Sequence, residues 1–263
     1  MAIFVFDIET IPDVEFGRRL YGLEGLSDKN VAYVMQTRKR QDSGTEFLSL
    51  EQQQVVAISV ALRTRDTFKI WSLGDPQSGE AEIIQRFYDG IDRFLPDLVS
   101  WNGCGFDLPV LHYRALRHGI QAPRYWEVGD EDQGFRFNNY LNRYHWRHLD
   151  LMDVLSGFQG RARVSLQNMA QLLGFPGKLG MSGDQVWDAY QHGHIERIRN
   201  YCETDVLNTF LIFLRFELMR GRLSREEHAL EVARVRETLG REAKPHFLEF
   251  LDAWPADSVS HGA

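Results

Sequence analysis

The stretch Ala2–Thr10, AIFVFDIET, constrains this chain more than any other. Ile3, Phe4, Val5, Phe6 and Ile8 form a nearly unbroken run of β-branched and aromatic side chains, the composition of a strand buried on both faces. Asp7 and Glu9 interrupt it two residues apart. Side chains alternate along a strand, so both carboxylates leave its C-terminal end on the same face. Two like charges at the margin of a core are costly unless a cation sits between them. A divalent metal would meet that need. A strand end whose acids face water is the other reading, and the pair alone leaves both open.

Composition narrows the classes. A chain of 263 residues suits one large domain or two small ones, and 43% hydrophobic with 25% charged residues is ordinary for a globular protein. No run approaches the eighteen or so apolar residues of a membrane helix, and no basic-then-apolar leader opens the chain. Cys104 and Cys202 suit a reduced compartment, so a cytoplasmic location is expected. The net charge of −7 argues against a protein that coats nucleic acid by charge alone. It leaves open an enzyme that meets nucleic acid through metals, since bound divalent cations would reverse the local sign.

Residues 11–54 read as an inserted segment or lid with one or two short helices. Its basic residues Arg18, Arg19, Arg38, Lys39 and Arg40 form either a phosphate grip or, the preferred reading, a solvated face. Val55–Leu62 and Phe68–Leu73 are predicted strands of a hairpin, Ser78–Leu95 a helix stopped by Pro96, and Leu98–Trp101 a fourth strand. Asp107–His118 follows as a helix with Pro109 in its first turn. The aromatic segment 119–147 could stack bases or pack on the body, with packing favoured. His148–Val154 reads as a fifth strand running into a turn, and Ser165–Leu173 as a Ser-capped helix ended by Gly174. The glycine-rich loop Gly177–Gly183 lacks the spacing and preceding strand of a triphosphate-binding loop. Helices are expected from about Asp184 to Gln191, over Ile195–Arg220 and over Ser224–Arg241, with a frayed tail from Ala253. No repeat or linker appears, so the whole of 1–263 is read as one domain, with a core of about 2–220 and a C-terminal helical extension and tail over 221–263.

Three acid-bearing segments can converge at strand ends in such a mixed sheet flanked by helices. Asp7 and Glu9 are the first. Ser100–Leu108, SWNGCGFDL, is the second, and its Asp107 opens a helix whose dipole favours a carboxylate. Tyr201 and Asp205 are the third, four residues apart and therefore on one helix face. Taken singly, Asp107 is explained as a helix cap and Tyr201 as core.

Taken together, Phe6-Asp7-Ile8-Glu9-Thr10, Asn102-x4-Asp107 and Tyr201-x3-Asp205 resemble, in order, the three motifs of the DEDD superfamily of 3′-5′ exonucleases (DnaQ-like). The Tyr-x3-Asp third motif marks the DEDDy branch. The chain is most similar to stand-alone proteins related to the proofreading exonuclease domain of family B DNA polymerases, over residues 2 to about 220. With only about forty residues left after that, no polymerase domain is expected to follow.

The resemblance implies an α/β, RNase H-like mixed five-stranded sheet flanked by helices, with an inserted segment after the first strand. It implies a phosphodiesterase using two divalent ions, Mg²⁺ or Mn²⁺, about 3.5–4 Å apart. By that likeness Asp7 bridges both ions, Glu9 and Asp205 complete the one that carries the attacking water, and Asp107 holds the second. Tyr201 positions the water, because a phenol with a pKa of about 10 is a poor base unaided. Thr10 and Ile11 would contact the terminal nucleotide through their backbone. Asn102 would hold the sugar or order its own motif. Phe106 is core or a base wedge, with core preferred. Lys178 could meet a phosphate. Asp150 and Asp153 are acids behind the metal ligands or helix caps, with caps preferred, and the two cysteines are small buried thiols.

The implied partner is single-stranded nucleic acid with a free 3′ end, DNA favoured, and no membrane. The expected product is a nucleoside 5′-monophosphate. A catalytically silent binding or scaffold protein and a hydrolase of very short oligonucleotides are the alternatives.

Overall fold

The computed structural model describes residues 2–255. Its strands are β1 (Ile3–Pro12), β2 (Gln53–Arg63), β3 (Phe68–Ser72), β4 (Asp97–Ser100) and β5 (His148–Asp150). Among the described residues they form one mixed sheet in the order β3-β2-β1-β4-β5. The hairpins β1–β2 and β2–β3 are antiparallel, whereas β1, β4 and β5 run parallel. This is the α/β, RNase H-like arrangement expected from the sequence.

The helices that connect and cover the sheet begin with α1 (Val14–Tyr21), α2 (Asp28–Ser43), α3 (Glu80–Phe94), α4 (Asp107–His118) and α5 (Leu151–Leu155). They continue with α6 (Leu166–Leu172), α7 (Val186–Gln191), α8 (Ile195–Met219), α9 (Arg225–Glu242) and α10 (Pro245–Ala253). The period-2 alternation of β1 decides which face meets which layer. Phe4, Phe6 and Ile8 pack with α3 and α4 in one core, while Val5 packs with α6, α8, α9 and α10 in the other. Asp7 and Glu9, in phase with Val5, therefore face the α8 layer.

Two features of β1 make room for a site. Its pairing with β4 covers only Ile3–Val5, so the strand edge beyond Phe6 lacks a β4 partner and a crevice opens at the carboxyl ends of the parallel strands. On the other side the register with β2 slips between Glu9 and Thr10, which leaves Val56 as the extra residue of a β-bulge. Such bulges bend a strand and re-aim its side chains.

The segment between β1 and β2 does hold two helices. Its basic residues are spent locally: Arg18 pairs with Asp28, Arg19 with Glu15 and Arg40 with Glu46, Arg38 lies over the Tyr21 ring, and Lys39 donates to Ser49. The solvated face is the better reading. In the aromatic segment, Tyr125, Phe135 and Tyr140 are buried in the α3/α4 core, with Tyr125 and Tyr140 stacked. Trp126, Phe137, Tyr144 and Trp146 stay exposed, so burial in the core accounts for three of the segment's seven aromatic residues.

Three expectations need correction. The fifth strand stops at Asp150, because that carboxylate accepts the Met152 and Asp153 amides and starts α5. Asp153 is no cap; buried, it pairs with Arg143 and Arg163. The supposed frayed tail from Ala253 is instead the end of α10, and Trp254 is only 2% exposed, covered by Phe175, Phe250 and the Arg236 guanidinium. Pro245 at the first helical position and the Phe247/Phe250 spacing start that helix, a signal hidden by the charged run before it. The rest of the expected tail, 256–263, lies outside the described residues. No helix among the described residues is long and apolar enough to cross a membrane.

Candidate active site

The crevice beside β1 gathers Asp7, Glu9, Asp107, Tyr201 and Asp205. β1 supplies the first two. Asp107 arrives from the start of α4, and its Oδ1 accepts the Ile8 amide at 3.2 Å, on the β1 edge that β4 leaves free. The turn that delivers it is tight: Asn102 has a left-handed φ of 68°, and its carbonyl accepts the Gly105 and Phe106 amides. A Cβ at Gly103 would stand 2.2 Å from Ser100 Oγ, so only glycine lets the chain pass there. Asp150 pins the same turn from behind by accepting the Asn102 and Cys104 amides at 3.0 and 2.9 Å. Asn102 thus orders its own motif, while Asp150 acts as a cap and as a brace.

The α8 layer supplies the rest. Tyr201 and Asp205 lie on one face of α8, which is buried over most of its length. Glu203, on the opposite face, is buried and accepts the Ser72 amide and hydroxyl, Lys244 Nζ and His246 Nε2. It bolts α8 to β3 and to the start of α10.

Lys178 belongs to the cluster as well. Its loop is fixed by Asn208 of α8, which exchanges hydrogen bonds with Gly177, and by Gln167, which accepts the Lys178 amide. Lys178 Nζ donates to Tyr201 Oη at 2.5 Å and lies 3.8 Å from Asp205. Cys202, seen in the sequence only as a small buried thiol, donates to the Asp7 carbonyl at 3.4 Å and to Asp7 Oδ2 at 3.6 Å. The flanking positions separate by role. Ile11 is buried with Val186, Ala189 and Ile198 beneath Tyr201, so only its backbone could touch a ligand. Phe106 is partly buried and beside Phe47. The Thr10 hydroxyl donates to Gln53, a contact no sequence signal announces.

The electrostatics are those of a site short of cations. Burial, and then Asp107, Glu9 and Asp205, push the Asp7 carboxyl well up, and burial with Asp205 does the same to Glu9. Asp107 is raised to about 7, mainly by burial, and Asp205 to about 6, burial being partly offset by Lys178 and Tyr201. Asp205 Oδ1 is buried without a hydrogen-bond partner. One oxygen each from Asp7 and Glu9 and the Cys202 sulfur lie within 4.8 Å of one another. Oxygen donors in like-charged excess, one of them orphaned, fit a hard divalent cation. The protonated thiol, pushed up by burial and by Asp7, fits a donor to Asp7 better than a metal ligand.

A pH dependence follows. In chelator, the thermal midpoint is expected to fall as pH rises from about 6.5 to 8. There the folded state still holds protons on its raised carboxyls that the unfolded chain has released, so stability drops with pH. Below about 6.5 the half-buried His112 and the buried His148, both lowered to about 4 by desolvation, act in the opposite direction, which fixes the window. Mg²⁺ or Mn²⁺ should abolish the fall; a flat or rising midpoint in chelator across that window would contradict a strained acid cluster.

The structure thus sets an acid-lined crevice on an α/β fold built around a mixed five-stranded sheet. The family described as predicted 3′-5′ exonuclease related to the exonuclease domain of PolB matches residues 45–254. The chain belongs to that family. The match begins after Asp7 and Glu9, so those two acids lie outside it. A DNA polymerase of Archaeoglobus fulgidus is 29% identical over 180 residues, 66% of this chain and 22% of that one. A DNA polymerase of Pyrococcus glycovorans is 28% identical over 152 residues, 56% of this chain and 20% of that one. The chain spans about a fifth of the length of these curated relatives. Among solved structures, the family B DNA polymerase of Pyrobaculum calidifontis matches with a TM-score of 0.46 at 19% identity, over 92% of this chain and 29% of that one.

Proposed function

We propose that this protein is a metal-dependent 3′-5′ exonuclease of the DEDDy type that acts on single-stranded nucleic acid, DNA favoured, as a single cytoplasmic domain. The convergence of four buried or half-buried carboxylates with a Tyr–Lys pair in one crevice carries the reading, and family membership supports it. Asp7, Glu9, Asp107 and Asp205 would hold two divalent ions, Mg²⁺ or Mn²⁺. When bound, these supply a more acidic water and charge stabilisation of the departing 3′ oxygen.

The protein's own groups divide the remaining work. Burial, Asp205, Glu9 and Asp7 push the Tyr201 phenol up, so it stays protonated and serves as a donor that orients the water, not as a base. Lys178 donates to the phenol oxygen, and the phenol is hydrogen-bonded to Asp205, so its proton is held on the carboxylate side where the water would sit. The Thr10 and Ile11 backbone, Asn102 and Phe106 line the approach of the terminal nucleotide. Overall, water oxygen bonds to the terminal phosphodiester phosphorus and the bond to the 3′ oxygen breaks. The products are a nucleoside 5′-monophosphate and a strand one nucleotide shorter with a free 3′-hydroxyl.

The test is a 5′-labelled single-stranded DNA and its RNA counterpart, incubated with Mg²⁺, Mn²⁺ or chelator. A ladder shortening from the 3′ end only with metal is expected. Tyr201→Phe should lower kcat by about a hundredfold, the usual worth of a positioned proton donor, while metal still raises the thermal midpoint. Intact strands in every metal, with binding retained, would leave a silent scaffold; cleavage confined to two- or three-nucleotide oligomers would leave a short-oligonucleotide hydrolase.

A further inference from the structure

The segment between α2 and β2 places one large apolar side chain where nothing in the fold requires it. Phe47 is 58% exposed. Its ring centroid lies 5.4 Å from that of Phe106, tilted by 53°, and Phe106 immediately precedes Asp107. The loop that carries it is nevertheless held firmly. The next residue, Leu48, is buried with Val31 and Met35 of α2. Thr45 Oγ1 accepts the Phe47 amide at 3.1 Å. The Leu48 carbonyl accepts Gln53 Nε2 at 3.1 Å, and Gln53 Oε1 accepts the Thr10 hydroxyl at 2.9 Å. A chain of two hydrogen bonds therefore ties the backbone beside Phe47 to the residue after Glu9. The loop is thus tied to the Asp7/Glu9 strand and the ring lies against the Asp107 turn, its only aromatic neighbour among the described residues being Phe106.

The geometry points to Phe47 as the outer half of a stacking platform, with Phe106 as its inner half, for a nucleobase at the 3′ end of a single strand; this rests on the exonuclease reading above. A rigid aromatic face beside metal-ligating acids offers what an unstacked base lacks in water, a π surface, and it does so without regard to base identity. A base seated against Phe47 has left its helix, so the platform also selects against paired ends, which must be frayed first. The loop thus has a use that its neutralised arginines do not supply: it carries an aromatic side chain, not charge, to the substrate.

The experiment uses single-stranded DNA with 2-aminopurine at the terminal or the penultimate 3′ position. Its fluorescence is read on binding to the full chain carrying Asp7→Asn, so that the strand survives, with Phe47 intact or changed. Quenching at one of the two positions is expected, lost in Phe47→Ala and kept in Phe47→Trp. In the otherwise unaltered protein, Phe47→Ala should raise KM for single strands about tenfold, within the range of one lost base stack, with the loss on KM and not kcat. Phe47→Trp should restore it. If the unaltered protein shortens no strand, the exonuclease reading fails and this inference with it. If strands are shortened but Phe47→Ala changes neither quenching nor KM, the platform alone is wrong.

Discussion

Asp7→Asn is expected to abolish exonuclease activity and at the same time to raise the melting temperature of the metal-free protein. Asp7 is the acid most exposed to its like-charged neighbours, with Asp107, Glu9 and Asp205 all raising its pKa after burial. An amide of the same shape removes that repulsion and still accepts from the Cys202 thiol at Oδ. At pH 8 in chelator the gain should be about 1 kcal/mol, or roughly 2–4 °C for a chain of this size. The same change removes one of the proposed metal ligands. A loss of several kcal/mol of charge stabilisation, at 1.4 kcal/mol per factor of ten, lowers the rate by at least about a thousandfold. Differential scanning fluorimetry with and without Mn²⁺, run beside the strand-shortening assay, reads both. A lower midpoint in chelator would show that the cluster is not in net repulsion, and the case for a cation there would weaken.

Glu203→Ala should give the largest loss of stability from a single side chain near the site. Glu203 is 4% exposed and accepts from Ser72, Lys244 and His246. Despite burial, those donors hold its carboxyl below its ordinary range, so it is ionised and contributes stability that is lost only as pH falls through its lowered folded value. Truncation removes the acceptor of four donor groups from three residues, and removing one partner of a buried charge pair costs about 3–5 kcal/mol. A fall in melting temperature of about 6–20 °C is expected by the size scaling. Glu203→Gln, which can still accept from Ser72, should lose markedly less. Because Tyr201 and Asp205 flank Glu203 on α8, activity should fall with Glu203→Ala even well below the new midpoint. Equal midpoints for the alanine and glutamine variants would mean that the retained Ser72 contact carries nothing and that the charge contacts to Lys244 and His246 account for the whole loss.

Much of the site was legible because its chemistry breaks local rules. Asp7 and Glu9 interrupt a run that otherwise reads as a buried strand, and Asp205 sits in a helix dominated by apolar residues. Such inconsistencies between pattern and residue type mark sites. Most strands and helices followed from periodicity, whereas the RNase H-like five-stranded sheet was implied by the family resemblance and its strand order is visible only in the fold. What stayed hidden was long-range pairing. Glu203 reads as an ordinary helix acid, and only the fold brings Ser72 and His246 to it. Gln53 looks like a polar residue before a strand until Thr10 is found opposite. Asp153 reads as a cap because caps are local, whereas Arg143 and Arg163 reach it from loops with no periodic signal. The Pro245–Ala253 helix was missed because its two phenylalanines follow a charged segment, and a short apolar stretch at a chain end resembles a tail until its partners are known.

The hydrogen bond from the Ile8 amide to Asp107 has a mechanical consequence. The peptide it engages lies between Asp7 and Glu9, so the carboxylate from α4 grips the strand at the midpoint between the other two acids. Load applied to Asp107 by anything bound in the crevice is passed directly to the backbone that aims Asp7 and Glu9. Three of the four acids are thereby tied to one stretch of backbone, while Asp205 is carried separately on α8.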